Sequence, residues 1–88
     1  MTAVNLHHQF ADFSETQKLV AALLALAGEP MGKSRITLHL AEIDVVIPAA
    51  ILDSDLKLFR ELELINEVVG RGFALVRHAV WPAIRAAL

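Results

Sequence analysis

Apolar positions along this chain recur first with the period of a helix and then with that of a strand, and the change of period divides it into elements. Between Pro48 and Leu62, Leu52, Leu56 and Phe59 stand at i, i+4 and i+7, one face of an amphipathic helix. Two short β-type runs, Leu64-Ile65 to Val68-Val69 and Phe73-Ala74-Leu75-Val76, flank Gly70-Arg71-Gly72 and predict a hairpin. Upstream, Val20, Leu23, Leu24 and Ala27 share one face of another helix. Ser14 and Gln17 open it as an S-x-x-Q capping box, and Gly28 supplies the left-handed residue that closes it. A shorter helix follows, with Ser34 as its cap and Ile36, Leu40 and Ile43 repeating on its apolar face. Val45-Val46-Ile47 is β-branched, but Pro48 disfavours the α region at Ile47, so a turn between two helices is expected there. Pro82 suits a first helical turn, and Ala79 to Leu88 reads as a short apolar terminal helix.

Residues 1–13 show no sustained period and read as an arm that docks Phe10 or Phe13 on the body. The expected organisation is an N-terminal arm over 1–13, a folded domain over 14–78 and a terminal apolar helix over 79–88. A chain of 88 residues is one domain, because half of it could not bury enough surface to fold alone.

Composition changes this picture in one respect. Apolar residues make up 56% of the chain, above the usual 45 to 50% or so, and a domain this small cannot hide them all. An apolar face is therefore expected to meet a partner, most simply a second copy. Charge is balanced: residues 1–32 hold three acids against Lys18, and residues 33–88 hold seven acids and seven bases. That excludes a strongly basic nucleic-acid binder and leaves room for a local basic stripe.

The chain has no cysteine, so it has neither a disulfide framework nor a thiolate metal site, which fits a cytoplasmic setting. Its longest apolar run, Leu19 to Ala27, falls far short of the roughly 20 residues that span a bilayer. The run ends in Ala25-Leu26-Ala27 like a signal-peptide cleavage site, but the Asp12 and Glu15 before it oppose the basic flank that a signal needs.

The order helix, helix, turn, helix, hairpin resembles the winged helix-turn-helix domains of bacterial transcription regulators such as the MarR, ArsR and Lrp-like families. In those families the recognition helix ends in a pattern like V-x-x-x-L-x-x-L-x-x-x-G-L-I before the wing. Here Leu52, Leu56 and Phe59 occupy apolar positions, Glu63 stands where glycine is usual, and Leu64-Ile65 matches the closing pair. The resemblance covers roughly 14–76. It implies a mainly α fold with a small β-hairpin: a three-helix core, a wing tipped by Gly70-Arg71-Gly72 and a short C-terminal helix.

The families' DNA-reading positions fall on the outer face of the third helix. At about 100° per residue, that face displays Ala50, Asp53, Ser54, Lys57 and Glu61, an acid-rich set. Phosphate neutralisation supplies most non-specific affinity, so acids there oppose it, although an aspartate such as Asp53 can accept from cytosine N4. Lys33 and Arg35 at the start of the second helix, together with Arg60, Arg71 and Arg77, could complete a phosphate track. The plainer alternative is that these bases pair with Glu42, Glu61, Glu63 or Glu67 on an ordinary surface. Asp55 falls within the apolar arc of Ile51, Leu52, Leu58, Phe59 and Leu62; either Arg35 or His39 partners it, or it lies at the rim of the core.

Catalytic and metal chemistry finds no pattern here. His7-His8, His39 and His78 lie in separate segments without metal-ligand spacing. Gly28 to Ser34 has the look of a phosphate loop but one residue too few between its glycines, and it follows a helix rather than a strand. An enzyme is not expected, nor a cofactor.

Two functions remain, beside the plainer case of an α-helical dimer that has no wing. The first is a small DNA-binding transcriptional regulator of bacterial or phage type that acts on double-stranded DNA as a homodimer. Ser54 and Lys57 would face bases or phosphates and Arg71 the minor groove, with the terminal helices joining the subunits. The second is a winged-helix protein-interaction module without direct DNA binding, using Ile51, Leu58, Leu62 and Trp81 as its partner surface.

Overall fold

The computed structural model describes residues 10–87. Most of the expected arm, including His7-His8, lies outside the described residues, as does Leu88. In chain order the elements are α1 (Glu15–Ala27), α2 (Lys33–Glu42), α3 (Ala49–Glu61), β1 (Ile65–Val68), β2 (Gly72–Leu75), a 3-10 turn (Arg77–Ala79) and α4 (Val80–Ala87). Among the described residues the architecture is mainly α with one small antiparallel hairpin, and no helix is long and apolar enough to cross a membrane.

The capping box at the start of α1 forms as its sequence predicts. The Gln17 N–H donates to Ser14 Oγ at 3.1 Å, and the Ser14 N–H donates to Gln17 Oε1 at 2.9 Å. At the other end Gly28 adopts φ 68°, the left-handed conformation that stops the helix. α2 departs from expectation at both ends. Ser34 does not cap it: the Ile36 N–H bonds the Gly32 carbonyl at 3.1 Å, which makes Lys33 the first helical residue and puts Ser34 inside the first turn. Ile43 does not extend its buried face either. The helix stops at Glu42, Asp44 turns the chain with φ 62°, and Ile43 swings outward to 59% exposure.

No strand forms over Val45-Val46-Ile47, and Pro48 caps α3 from an extended conformation. The buried stripe of α3 is Leu52, Asp55, Leu56 and Phe59. After Leu62 the chain leaves the helix through Glu63 at φ 60°. Glu63, which stands at the expected glycine position, takes the conformation that glycine adopts without strain.

In the hairpin Ile65 pairs with Leu75, Asn66 with Ala74, Glu67 with Phe73 and Val68 with Gly72. The α1–α2 loop adds one residue to the sheet: the Met31 N–H donates to the Phe73 carbonyl at 2.9 Å, and the Phe73 N–H to the Met31 carbonyl at 2.8 Å. This approach is so close that a Cβ at Gly72 would collide with the backbone of Met31 and Gly32.

One core unites these elements. α1 packs along α4 and against α2 and β2, while β1 packs on α3. Phe10 is fully buried, and Phe13 stacks on Phe59 with ring centroids 5.3 Å apart, so both aromatics dock on the body. Val20, Ala21 and Leu24 of α1 and Ala79 and Ala83 at the C-terminal end belong to this core. The faces of α1 and α4 that carry them are used within the chain and are not open to a second copy.

Candidate nucleic-acid interface

The stripe of α3 that faces the core leaves its opposite face in solvent, because each residue turns the helix by about 100° and positions about 180° from the stripe point away from the core. Ala50, Asp53, Ser54, Lys57 and Glu61 are all exposed there. An open groove of about 550 Å³ runs between this face, the start of α2 and the hairpin. Lys33, Lys57 and Arg60 line it with Asp53 and Glu61, and Leu56 and Phe73 form its floor. A second groove of about 380 Å³ lies between α2 and the start of α3, lined by Lys33, Ser34, Thr37, Ala49, Leu52 and Asp53. Lys33 and Asp53 border both grooves.

Three of the six candidate bases are held by acids. Lys33 Nζ lies 2.6 Å from Asp53 Oδ1, Arg60 3.1 Å from Glu67 Oε1, and Arg35 3.5 Å from Glu29 Oε1. All six side chains are about half exposed, so water screens each pair and its net contribution is about 0 to 1 kcal/mol. Such pairs orient a base without locking it away from a stronger anion. Lys57, Arg71 and Arg77 have no acid within 4.0 Å among the described residues, although the candidate partners Glu61 and Glu63 lie nearby in sequence.

The tertiary structure gathers some of the candidates and separates others. Lys33, Lys57 and Arg60 meet at one groove, with Ser54 on the same helix face. Arg71 projects from the hairpin tip, where its N–H closes the turn onto the Val68 carbonyl at 2.9 Å. Arg35 turns to Glu29 in the α1–α2 loop, and Arg77 begins the 3-10 turn beyond the hairpin; neither lines the groove.

Of the residues expected at a partner surface, Trp81 is 70% exposed and Ile51 49%, whereas Leu58 and Leu62 are half-buried. Sequence periodicity missed the most apolar exposed stretch. From Ile43 to Ile51, the exposed side chains are Ile43, Asp44, Val46, Pro48, Ala49, Ala50 and Ile51, with Asp44 their single charge and Val46 at 87% exposure. The density of β-branched residues around Pro48 was the available signal, but it does not say which of them face outward.

Asp55 is buried at 6% exposure, so it belongs to the core and not to its rim. Neither Arg35 nor His39 reaches it; those side chains face Glu29 and Glu42. Its partner is Gln17, whose Nε2 donates to Asp55 Oδ1 at 3.0 Å. The amide that completes the α1 cap thus also ties α1 to α3. Asp55 Oδ2 has no hydrogen-bond partner among the described residues.

The chain matches no protein-family profile, and neither curated proteins nor solved structures yield a significant match.

Proposed function

We propose that this chain is a winged-helix DNA-binding domain that regulates transcription as a homodimer. In this reading α2 and α3 form the helix-turn-helix, α3 enters the major groove, and the β1–β2 hairpin is the wing. The observation that carries it is the meeting of Lys33, Lys57 and Arg60 on one open groove beside the outward face of α3. Lys57 and Ser54 approach bases or phosphates, Arg71 reaches the adjacent minor groove, and Lys33 and Arg60 exchange their weak carboxylate partners for phosphates. The acids Asp53, Glu61 and Glu67 keep non-specific affinity low.

The test is fluorescence anisotropy of a labelled mixed-sequence duplex, first at low salt and then as salt is raised. Binding is expected to fall with a log–log slope of several units, at about 0.9 per phosphate contact. Changing Lys57→Glu together with Arg71→Ala is expected to abolish it; undiminished binding by the double variant would sink this arrangement.

A second reading is a protein-interaction module, and the exposed Ile43, Val46 and Ile51 favour it. An apolar stretch at the entry to α3 suits a partner's apolar surface better than a phosphate backbone. Association through it would be nearly insensitive to salt, which separates the two readings.

A further inference from the structure

We propose that the outer edge of β1 pairs antiparallel with β1 of a second copy, forming one continuous four-stranded sheet about a two-fold axis at Asn66. This interface does not depend on DNA binding. The argument begins with the direction of the backbone groups. The Val76 N–H bonds the Leu64 carbonyl at 2.8 Å, and both backbone groups of Phe73 are taken by Met31 on the far side of β2. Antiparallel alternation then turns the Leu64 carbonyl and the groups of Asn66 and Val68 toward β2, while the Leu64 N–H donates to the Phe59 carbonyl at 2.9 Å. The N–H and C=O of Ile65 and Glu67 point the other way, and they have no backbone partner among the described residues.

An edge of this kind is a template for another strand unless it is blunted. β1 has no proline, lysine or glycine, and each of its residues pairs one-to-one with β2, so it has no bulge. A second β1 can satisfy it in one register, with Ile65 of each copy opposite Glu67 of the other. Both N–H and both C=O groups of each strand then find partners. Glu67 faces Ile65 rather than another Glu67, so the carboxylates avoid direct opposition. Asn66 falls opposite Asn66, and an amide, being donor and acceptor at once, can hydrogen-bond its own copy. On the same face Asn66 is registered with Ala74 and Val68 with Gly72, small neighbours that leave this surface flat, uncharged and open.

Two four-residue strands bury less than the roughly 800 Å² per partner of a standard interface, so the association is weak and concentration-dependent. The chain has no cysteine, which makes the register directly testable. At Asn66 the two copies meet as a non-hydrogen-bonded pair with Cα atoms about 4.5 Å apart, within reach of a disulfide. Under mild oxidation the Asn66→Cys variant is expected to form a covalent dimer, while a cysteine placed at Val69, beyond the strand, is expected to form at least ten-fold less.

Sedimentation of the unmodified chain from about 10 to about 500 µM, a range suited to a sub-standard interface, is expected to show monomer passing to dimer. Glu67→Pro is expected to hold the chain monomeric, because the Glu67 N–H faces away from β2 and its loss leaves the hairpin ladder intact. Circular dichroism checks that this variant is folded; if it is not, Asn66→Lys, which sets two ammonium groups face to face at the axis, is used in its place. A chain monomeric throughout this range overturns the proposal. So does a dimer that persists in the edge variants and fails to cross-link through Asn66→Cys.

Discussion

Two glycines at the ends of one turn show how differently the same residue type can matter. Gly70 and Gly72 both have positive φ, at 79° and 117°. Space around Gly70 is open, so Gly70→Ala is expected to cost about 1 kcal/mol from backbone strain alone. Gly72→Ala would also drive a methyl into the Met31–Gly32 backbone, at a cost of about 3 kcal/mol, and chemical denaturation of both variants measures the difference. Glu63 presents the opposite case, a side chain at φ 60°, and Glu63→Gly is expected to raise stability by about 1 kcal/mol. Gln17 joins two structures that its sequence position does not reveal as neighbours. Gln17→Ala removes the return bond of the cap and the one hydrogen bond that the buried Asp55 carboxylate makes among the described residues, so a loss of about 2 kcal/mol is expected. Most of that loss should vanish in an Asp55→Leu background, which a double-mutant cycle tests.

Among the elements, α1 and α3 owe their boundaries to local chemistry to different degrees. Ser14, Gln17 and Gly28 delimit α1 by side-chain and backbone bonds close in sequence, so Ser14→Ala is expected to cost about 1 kcal/mol in thermal or chemical unfolding. α3 has no side-chain cap at either end and is held by its apolar stripe against the core. Its outward face was legible from spacing alone, because Asp53, Ser54, Lys57 and Glu61 follow from the period of Leu52, Leu56 and Phe59. Glu67, the partner of Arg60, was among the acids expected to pair, but the Lys33–Asp53 pair on that face was not legible. Lys33 and Asp53 are 20 residues apart, and nothing local distinguishes Asp53 as the partner of Lys33 from the acids first considered.

At the scale of the molecule, the Cα radius of gyration is 12.1 Å, close to the roughly 12 Å expected of a compact chain of this length. Small-angle scattering in dilute solution is expected to return about that value and to rise with concentration as the β1 edges pair. Trp81, the single tryptophan, stands 70% exposed on α4, so its emission in dilute solution should be that of a hydrated indole, open to quenching by iodide. The high apolar content has a visible outcome: Leu26, Leu38, Ile43, Val46, Ile51, Val69 and Trp81 remain largely in solvent although one core unites every element. The terminal helices, expected to join subunits, pack on each other within the chain, where the small side chains of Ala21, Ala79 and Ala83 let α1 and α4 approach closely.

The sequence by itself determined the order of helices, turn and hairpin, though not the ends of α2, since capping boxes, helical spacing and a glycine-flanked hairpin act over a few residues. It also determined which face of α3 is apolar and that Asp55 falls within or at the rim of that arc, a choice that its 6% exposure decides for the core. The tertiary structure alone decided that Gln17 satisfies this carboxylate, that Met31 joins the sheet at Phe73, and that three bases share one groove. Those outcomes depend on the angles at which α1, α2 and the hairpin meet α3. Such angles follow from packing over the whole core and leave no short-range mark in the chain.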